Sequence, residues 1–263
     1  MNTMKRIFLC SIIGLAILFS GCEKLDIPRD YPSTYFILPS DTITKLQNEY
    51  LIRNPYLKSS LDEFGFCDIS HNNLEIESPP YISDISRSEA EYIAMDFLKN
   101  NSRETGVNDS EEFTFYSGGS ITSTTGTVTW NFKSVNQTID TIEVLYTCII
   151  FHIRNGFVIS CSGNWYPEIY IPEKFNFDQS KAKATLNGYT VTHYNFGGDP
   201  YYDTITSMDL EGSKITLKII PKNTTDRIEL RVCWEIYIPG VSYRIYIDVM
   251  NGEIVSQTST IIS

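Results

Sequence analysis

The chain has 263 residues, 42% hydrophobic, 13% aromatic and 20% charged, a composition that excludes disorder, collagen-like repeats and a coiled coil. Its length suits one or two domains that can bury a core without disulfide staples. A formal charge of −11 repels phosphate backbones and argues against nucleic acid as a partner.

Met1 to Arg6 is short and basic, and Ile7 to Phe19 is apolar apart from Cys10, Ser11 and Gly14. As a helix this run reaches about 20 Å, too short for a hydrocarbon layer of ~30 Å, so it predicts a signal-peptide core and not a span. It runs into Phe19-Ser20-Gly21-Cys22, small residues ending in a cysteine. The order resembles a bacterial lipoprotein signal, whose cysteine is acylated and becomes the first mature residue; Phe19 stands where that family prefers Leu. The resemblance implies a signal peptide over 1–21, lipid (palmitate among its chains) on Cys22, and a place in the cell envelope, at the outer membrane or cell surface. Two or more acyl chains suffice to hold such a body on a bilayer. Residues 22–80 read as a tether and N-terminal segment, with Pro28, Pro32 and Pro39 suiting an extended stalk over 23–40.

Residues 41–66 carry Ile43, Leu46, Tyr50, Leu51, Leu57, Leu61 and Phe64 at a loosely helical spacing, interrupted at Pro55, with Asp41 placed as an N-cap. Asn72 to Pro80 reads as a linker, extended by Pro79-Pro80. Ser86 and Glu89 then form a capping box, and Ala90, Ile93, Ala94, Phe97 and Leu98 make one apolar stripe, with Ile85 positioned as a staple. After this helix the period becomes two. Phe113 to Tyr116 predicts a strand, Ser117 to Gly126 a flexible loop, and Val128 to Val135 another strand. Ile142–Ile153 and Phe157–Ser162 flank Asn155-Gly156, a strong hairpin signal. Ile169 to Ile171 continues the strand pattern, and Asp178 to Leu186 predicts a short helix. Ile215–Ile219, Leu230–Ile238 and Ile245–Val249 alternate in turn, punctuated by Pro239-Gly240 and Asn251-Gly252. The class is α+β: antiparallel sheets whose dry faces need one or two covering helices.

The helix residues Ser86, Glu89, Ala90, Ile93, Ala94, Phe97 and Leu98 resemble the opening helix of PepSY-type domains and of streptopain-type propeptides. Leu145-Tyr146 followed by Asn155-Gly156-Phe157-Val158-Ile159-Ser160 resembles the hairpin of the Spi family, which comprises those propeptides and related stand-alone inhibitors; the acid that usually follows is missing from Cys161-Ser162-Gly163-Asn164. Val232-Cys233-Trp234-Glu235-Ile236 and Asp248 to Ile254 are similar to the closing strands of PepSY-like domains. The resemblance implies a propeptide-like module over 81–175, a PepSY-like antiparallel meander over 176–263, and a secreted cysteine protease as partner. Asp248 and Glu253 read as turn residues, with Asp248 bonding nearby amides.

No catalytic constellation, cofactor motif or metal-ligand spacing emerges. His71, His152 and His193 are the available bases. His152 shares a predicted strand face with Cys148 and lies near Cys161 in the hairpin, but a regular strand supplies neither a strained elbow nor oxyanion donors. His193 falls in a predicted strand beside Tyr194. Glu89, Glu91 and Asp96 read as a solvated helix face, and Gly118-Gly119 and Gly197-Gly198 as loop punctuation. Cys67, Cys148, Cys161 and Cys233 match no zinc pattern and allow three disulfide pairings, with buried free thiols an equal alternative. Tyr201 and Tyr202, after the Gly197-Gly198-Asp199-Pro200 turn, are the candidate partner contacts. Asp-Thr-Ile occurs three times and looks like an O-glycosylation acceptor of one Gram-negative lineage, making Thr42, Thr141 and Thr204 the candidate sites. The sequence thus points to a non-enzymatic envelope lipoprotein that binds or inhibits a protease, or to a surface module contacting glycan, peptide or another envelope protein.

Overall fold

The computed structural model describes residues 31–68, 78–81, 84–108, 113–124, 126–194 and 198–260. The expected leader, Cys22, His71, Gly197 and most of the 72–80 linker lie outside them. The chain is a mixed α+β fold of several antiparallel sheets with helices. Its first part contains β1 (Ser33–Phe36), α1 (Ser40–Arg53), β2 (Ser60–Leu61), β3 (Cys67–Asp68), α2 (Arg87–Asn100) and α3 (Ser102–Thr105). Strands β4 (Phe115–Thr122), β5 (Val128–Ser134), β6 (Thr138–Ile139), β7 (Ile142–Val144), β8 (Ile150–Arg154) and β9 (Phe157–Ser162) follow. The last part holds α4 (Gln179–Leu186), β10 (Thr190–Tyr194), β11 (Pro200–Thr204), α5 (Ser207–Glu211), β12 (Lys214–Asn223), β13 (Arg227–Ile238), β14 (Tyr243–Asp248) and β15 (Ile254–Ser259).

Helix α1 begins after Pro39 with no side-chain cap and stops at Asn54, because the residue before a proline is disfavoured as helix. Asp41 lies in its first turn and is not the N-cap. Helix α2 opens on the expected capping box: Ser86 Oγ accepts from Glu89 N at 3.3 Å and Glu89 Oε2 from Ser86 N at 2.8 Å. Its stripe buries Ala90, Ala94, Phe97 and Leu98 against Phe132, Phe151 and Ile153 of an antiparallel sheet ordered β4-β5-β8-β9. The β8–β9 turn has Asn155 at φ 51° and Gly156 at φ 81°, the double positive geometry its sequence predicts.

Among the described residues the larger sheet has seven strands, β15-β14-β13-β12-β7-β6, with β1 also on β13. Strand β13 pairs along its length with β12, and on its other edge with β1 at Arg227–Leu230 and β14 at Cys233–Ile238. Ile236, Ile238, Ile245 and Ile247 form a dry face that α4 covers with Ala182 and Leu186. Asp178 caps α4, accepting from Lys181 N at 2.8 Å.

Other expectations are corrected as well, beginning with the helical spacing past Pro55, where Ser60–Leu61 is strand β2. Ser33–Phe36, assigned to a stalk, is an edge strand on β13. The flexible loop over 117–126 is mostly strand β4, and Gly118 is there because Phe132, its cross-strand partner, lies where a Cβ would be, 2.6 Å away. The single strand over 142–153 is two: β7 joins the large sheet, parallel to β12, and the chain leaves at Tyr146 (φ 61°) before β8 starts in the other sheet. Thr147 Oγ1 holds that corner, donating to Val144 O at 2.6 Å and accepting from Gln137 N at 2.9 Å. Ile169–Ile171 forms no strand, although both isoleucines pack on the core. Tyr201 and Tyr202 sit in strand β11, not in a loop.

Candidate functional site

A groove of about 520 Å³ opens where the ends of α1 and α2 meet the β8–β9 turn. Its floor is an amide relay: Asn54 Nδ2 donates to Asn101 Oδ1 and to Tyr50 O, each at 2.9 Å, and Asn101 Nδ2 donates to Phe97 O at 2.9 Å. On one wall Arg53 Nη2 binds the buried Glu104 Oε1 at 2.7 Å, and on another Asn100 Nδ2 donates to Asp96 Oδ2 at 3.0 Å. Tyr56 meets Phe157 edge-on, centroids 4.6 Å apart, and supplies apolar lining. Guanidinium, amide and aromatic groups thus give the groove both hydrogen-bonding and apolar surface. They include neither a nucleophile nor an adjacent base. The spacing of the helix stripe gave no sign of the groove, because it forms from three segments distant in sequence.

His152 and Cys161 are not brought together as a dyad. Cys161 pairs with Phe151 and shares its buried face, whereas His152 pairs with Ser160 and lies on the other face. Cys148 precedes the strand, so it does not share a strand face with His152. Burial, with the nearby Arg154 charge, holds the His152 imidazole below its usual range. His193 lies in β10 as predicted, 3% exposed, stacked on Tyr201 at 4.7 Å and edge-on to Tyr243 at 4.8 Å. Its Nε2 is 3.0 Å from Asp203 Oδ2. Among the described residues no group of three His, Cys, Asp or Glu side chains is arranged to hold a metal ion.

Strand register separates the two candidate tyrosines. Tyr201 pairs with His193 on the inner face and covers it, at 43% exposure; Tyr202 pairs with Thr192 on the outer face, at 65%. Tyr194, also exposed, closes the same hairpin. The three Asp-Thr-Ile copies lie in unlike settings. Thr42 is half-buried in the first turn of α1, Thr141 is exposed in the β6–β7 turn at φ 70°, and Thr204 ends β11 with its hydroxyl 3.3 Å from that of Thr190.

Asp248 is fully buried, and its Oδ1 accepts from Met250 N at 2.7 Å and Asn251 N at 3.2 Å, the turn role expected of it. The sequence did not disclose its second role. Asp248 Oδ2 meets Arg231 Nη1 at 3.1 Å, and Arg231 also grips Glu229. Tyr31 Oη accepts from Val232 N and donates to Asp248 Oδ2, both at 2.9 Å, filling the gap on β13 between β1 and β14. Burial, then the charge of Asp248, pushes the Tyr31 phenol far above its ordinary value.

No family model and no curated protein matches the chain. Among solved structures, the Bacillus megaterium YpeB C-terminal domain is similar over 84% of this chain and 97% of that one, at 16% identity and a TM-score of 0.31. A likeness of that size carries no inference about fold or function. No helix among the described residues is long and apolar enough to cross a membrane.

Proposed function

We propose that this chain is a non-enzymatic lipoprotein of the bacterial cell envelope, anchored by lipid on Cys22, whose propeptide-like module binds and restrains a streptopain-type cysteine protease. In this reading residues 81–175 form the Spi-like module and residues 176–263 a second, PepSY-like one. One observation carries it: α2 lies across an antiparallel sheet whose β8–β9 hairpin turns at Asn155-Gly156, and the recognition groove opens between the helix end and that turn. The helix and hairpin stretches behind the resemblance are therefore structural neighbours, whereas Leu145 packs with Ile220 and Tyr246 of the seven-stranded sheet. Arg53, Asp96 and Phe157 offer charge and an aromatic edge to a partner without reacting with it. Adding the purified chain from residue 23 onward to a streptopain-type protease slows hydrolysis of a peptide substrate, and Phe157→Ala weakens that effect. Unchanged hydrolysis across cognate proteases overturns the role.

The exposed Tyr194 and Tyr202 favour a second reading, a surface module contacting glycan, peptide or another envelope protein. Cross-linking from position 202 in intact cells distinguishes the two by the partner captured. Glycans on Thr42, Thr141 and Thr204 belong to the same envelope setting, and Thr141 and Thr204 are exposed where Thr42 is half-buried. Intact mass of the mature protein tests them; an unmodified mass removes the idea.

A further inference from the structure

Cys67 and Cys161, 94 residues apart in sequence, bring their Sγ atoms to 3.3 Å inside the core. The contact joins two specific pieces of chain. Strand β9 is an outer strand of the four-stranded sheet, and the segment from Lys58 to Asp68 runs against it. Lys58 N donates to Ile159 O at 2.8 Å, Cys161 N to Ser59 Oγ at 2.8 Å, and Gly163 N to Cys67 O at 3.1 Å. Those bonds occupy edge groups that would otherwise be open to another chain. Gly163 is required at the crossing: at φ 121°, a Cβ there would fall 1.8 Å from Cys148 O. Leu57, Leu61 and Tyr50 belong to the same buried cluster as the two thiols, and Tyr50 Oη has no hydrogen-bond partner among the described residues. Around the thiols the core is mainly apolar, and Cys67 Sγ also lies 3.6 Å from Gly163 O. A disulfide needs an S–S separation near 2.05 Å, about 1.3 Å closer than the thiols stand.

We propose that Cys67 and Cys161 are joined by a disulfide that staples the 58–68 segment onto the edge of the four-stranded sheet. The acceptor is a disulfide-bearing compound, either a thiol–disulfide oxidoreductase or a small-molecule disulfide. One protein thiolate attacks an acceptor sulfur and displaces the first acceptor thiol; the second protein thiolate then attacks the mixed disulfide and displaces the other. The protein gives up two electrons and two protons, and the acceptor leaves as two thiols. Burial, reinforced by the neighbouring Cys67, pushes the Cys161 thiol well above its ordinary range. Cys148 is half-buried before β8 and Cys233 is buried in the other sheet, which leaves them outside the pair.

The test refolds the full chain with oxidised glutathione, blocks free thiols in denaturant without reductant, and maps the proteolytic peptides. The expected result is one cross-link, between the peptides carrying Cys67 and Cys161, with Cys10, Cys22, Cys148 and Cys233 alkylated. Adding reductant lowers Tm by roughly 5–15 °C. The variant carrying Cys148→Ser and Cys233→Ser keeps both the cross-link and the shift, and the variant carrying Cys67→Ala and Cys161→Ala shows neither. Alkylation of Cys67 and Cys161 in the wild-type chain, or a link from either to any of the other four cysteines, overturns the proposal, and the peptide map decides the matter even where a variant fails to fold.

Discussion

Helix α2 lays Ala90, Ala94, Phe97 and Leu98 on the four-stranded sheet, whereas α4 brings only Ala182 and Leu186 to the seven-stranded one. Cover for the second sheet is completed by smaller pieces, with Val191 of β10, Ile205 and Leu210 of α5 joining the same core. The other faces differ more. Beyond its dry face the seven-stranded sheet holds Glu229, Arg231 and Asp248, buried or nearly so, and with them Tyr31. Apolar burial roofs both sheets, but only the second uses charge to fix which strands meet on one edge.

The largest expected effect follows from that network. Arg231→Ala leaves Glu229 and Asp248 buried without their shared cation, at a cost of about 3–5 kcal/mol by urea unfolding. A much smaller loss would mean that the carboxylates find water or another cation, and that charge does not specify the edge. Next comes a matched pair of truncations under the two roofs. Leu98→Ala and Leu186→Ala both remove fully buried side chains, for about 2–5 kcal/mol each. Leu98→Ala is the costlier, because a long helix on a sheet relaxes little into the cavity, while the short elements around α4 can settle.

Acid titration separates the regions by pH window. Burial works to raise the Glu229 carboxyl, but hydrogen bonds and charge from Arg231 and Arg227 outweigh it and hold the group below its ordinary value. The unfolded chain then takes up the proton first, so this stability is complete above about pH 4.3 and is lost as pH falls through the folded value. His152 also has a lowered pKa, from burial and Arg154, so its contribution is present above about pH 6.5 and declines as pH falls from there. His152→Gln flattens the upper limb of the stability–pH curve and Glu229→Gln the lower one. Interchanged limbs would break the assignment.

What could be read from the sequence follows the range of the interactions involved. The α2 capping box, the Asn155-Gly156 turn, the Asp178 cap and the Asp248 turn bonds were legible, since each depends on residues within a few positions. Strand β4 was hidden because its glycines make sense only once Phe132 packs over Gly118. The split between β7 and β8 was hidden for a similar reason: Ile142 to Ile153 is a nearly continuous apolar run, and the break is made by the positive φ of Tyr146 and by Thr147 bonding to Gln137 and Val144. Likewise the groove and the Cys67–Cys161 contact depend on strand order, which periodicity does not encode.

The smallest effect tests the β10–β11 hairpin, which adds Val191 to the core over the seven-stranded sheet and turns an exposed tyrosine outward. Tyr201 and Tyr202 are neighbours of the same type, yet register puts Tyr201 against His193 and Tyr202 against solvent. Tyr201→Ala gives up a stacked ring pair and opens His193 to water, for about 1 kcal/mol. Tyr202→Ala stays within about 0.5 kcal/mol, as for a surface substitution with no packing to lose. Denaturant unfolding measures both, and the His193 ring proton shifts by NMR move in the first variant only. If Tyr202→Ala instead reduces partner capture while stability is unchanged, the outer face of the hairpin is the contact surface and the inner face its support. The reverse order of stabilities would require the hairpin to slip by one residue, which exchanges every inward and outward side chain and would expose Val191 and Asp203 as well.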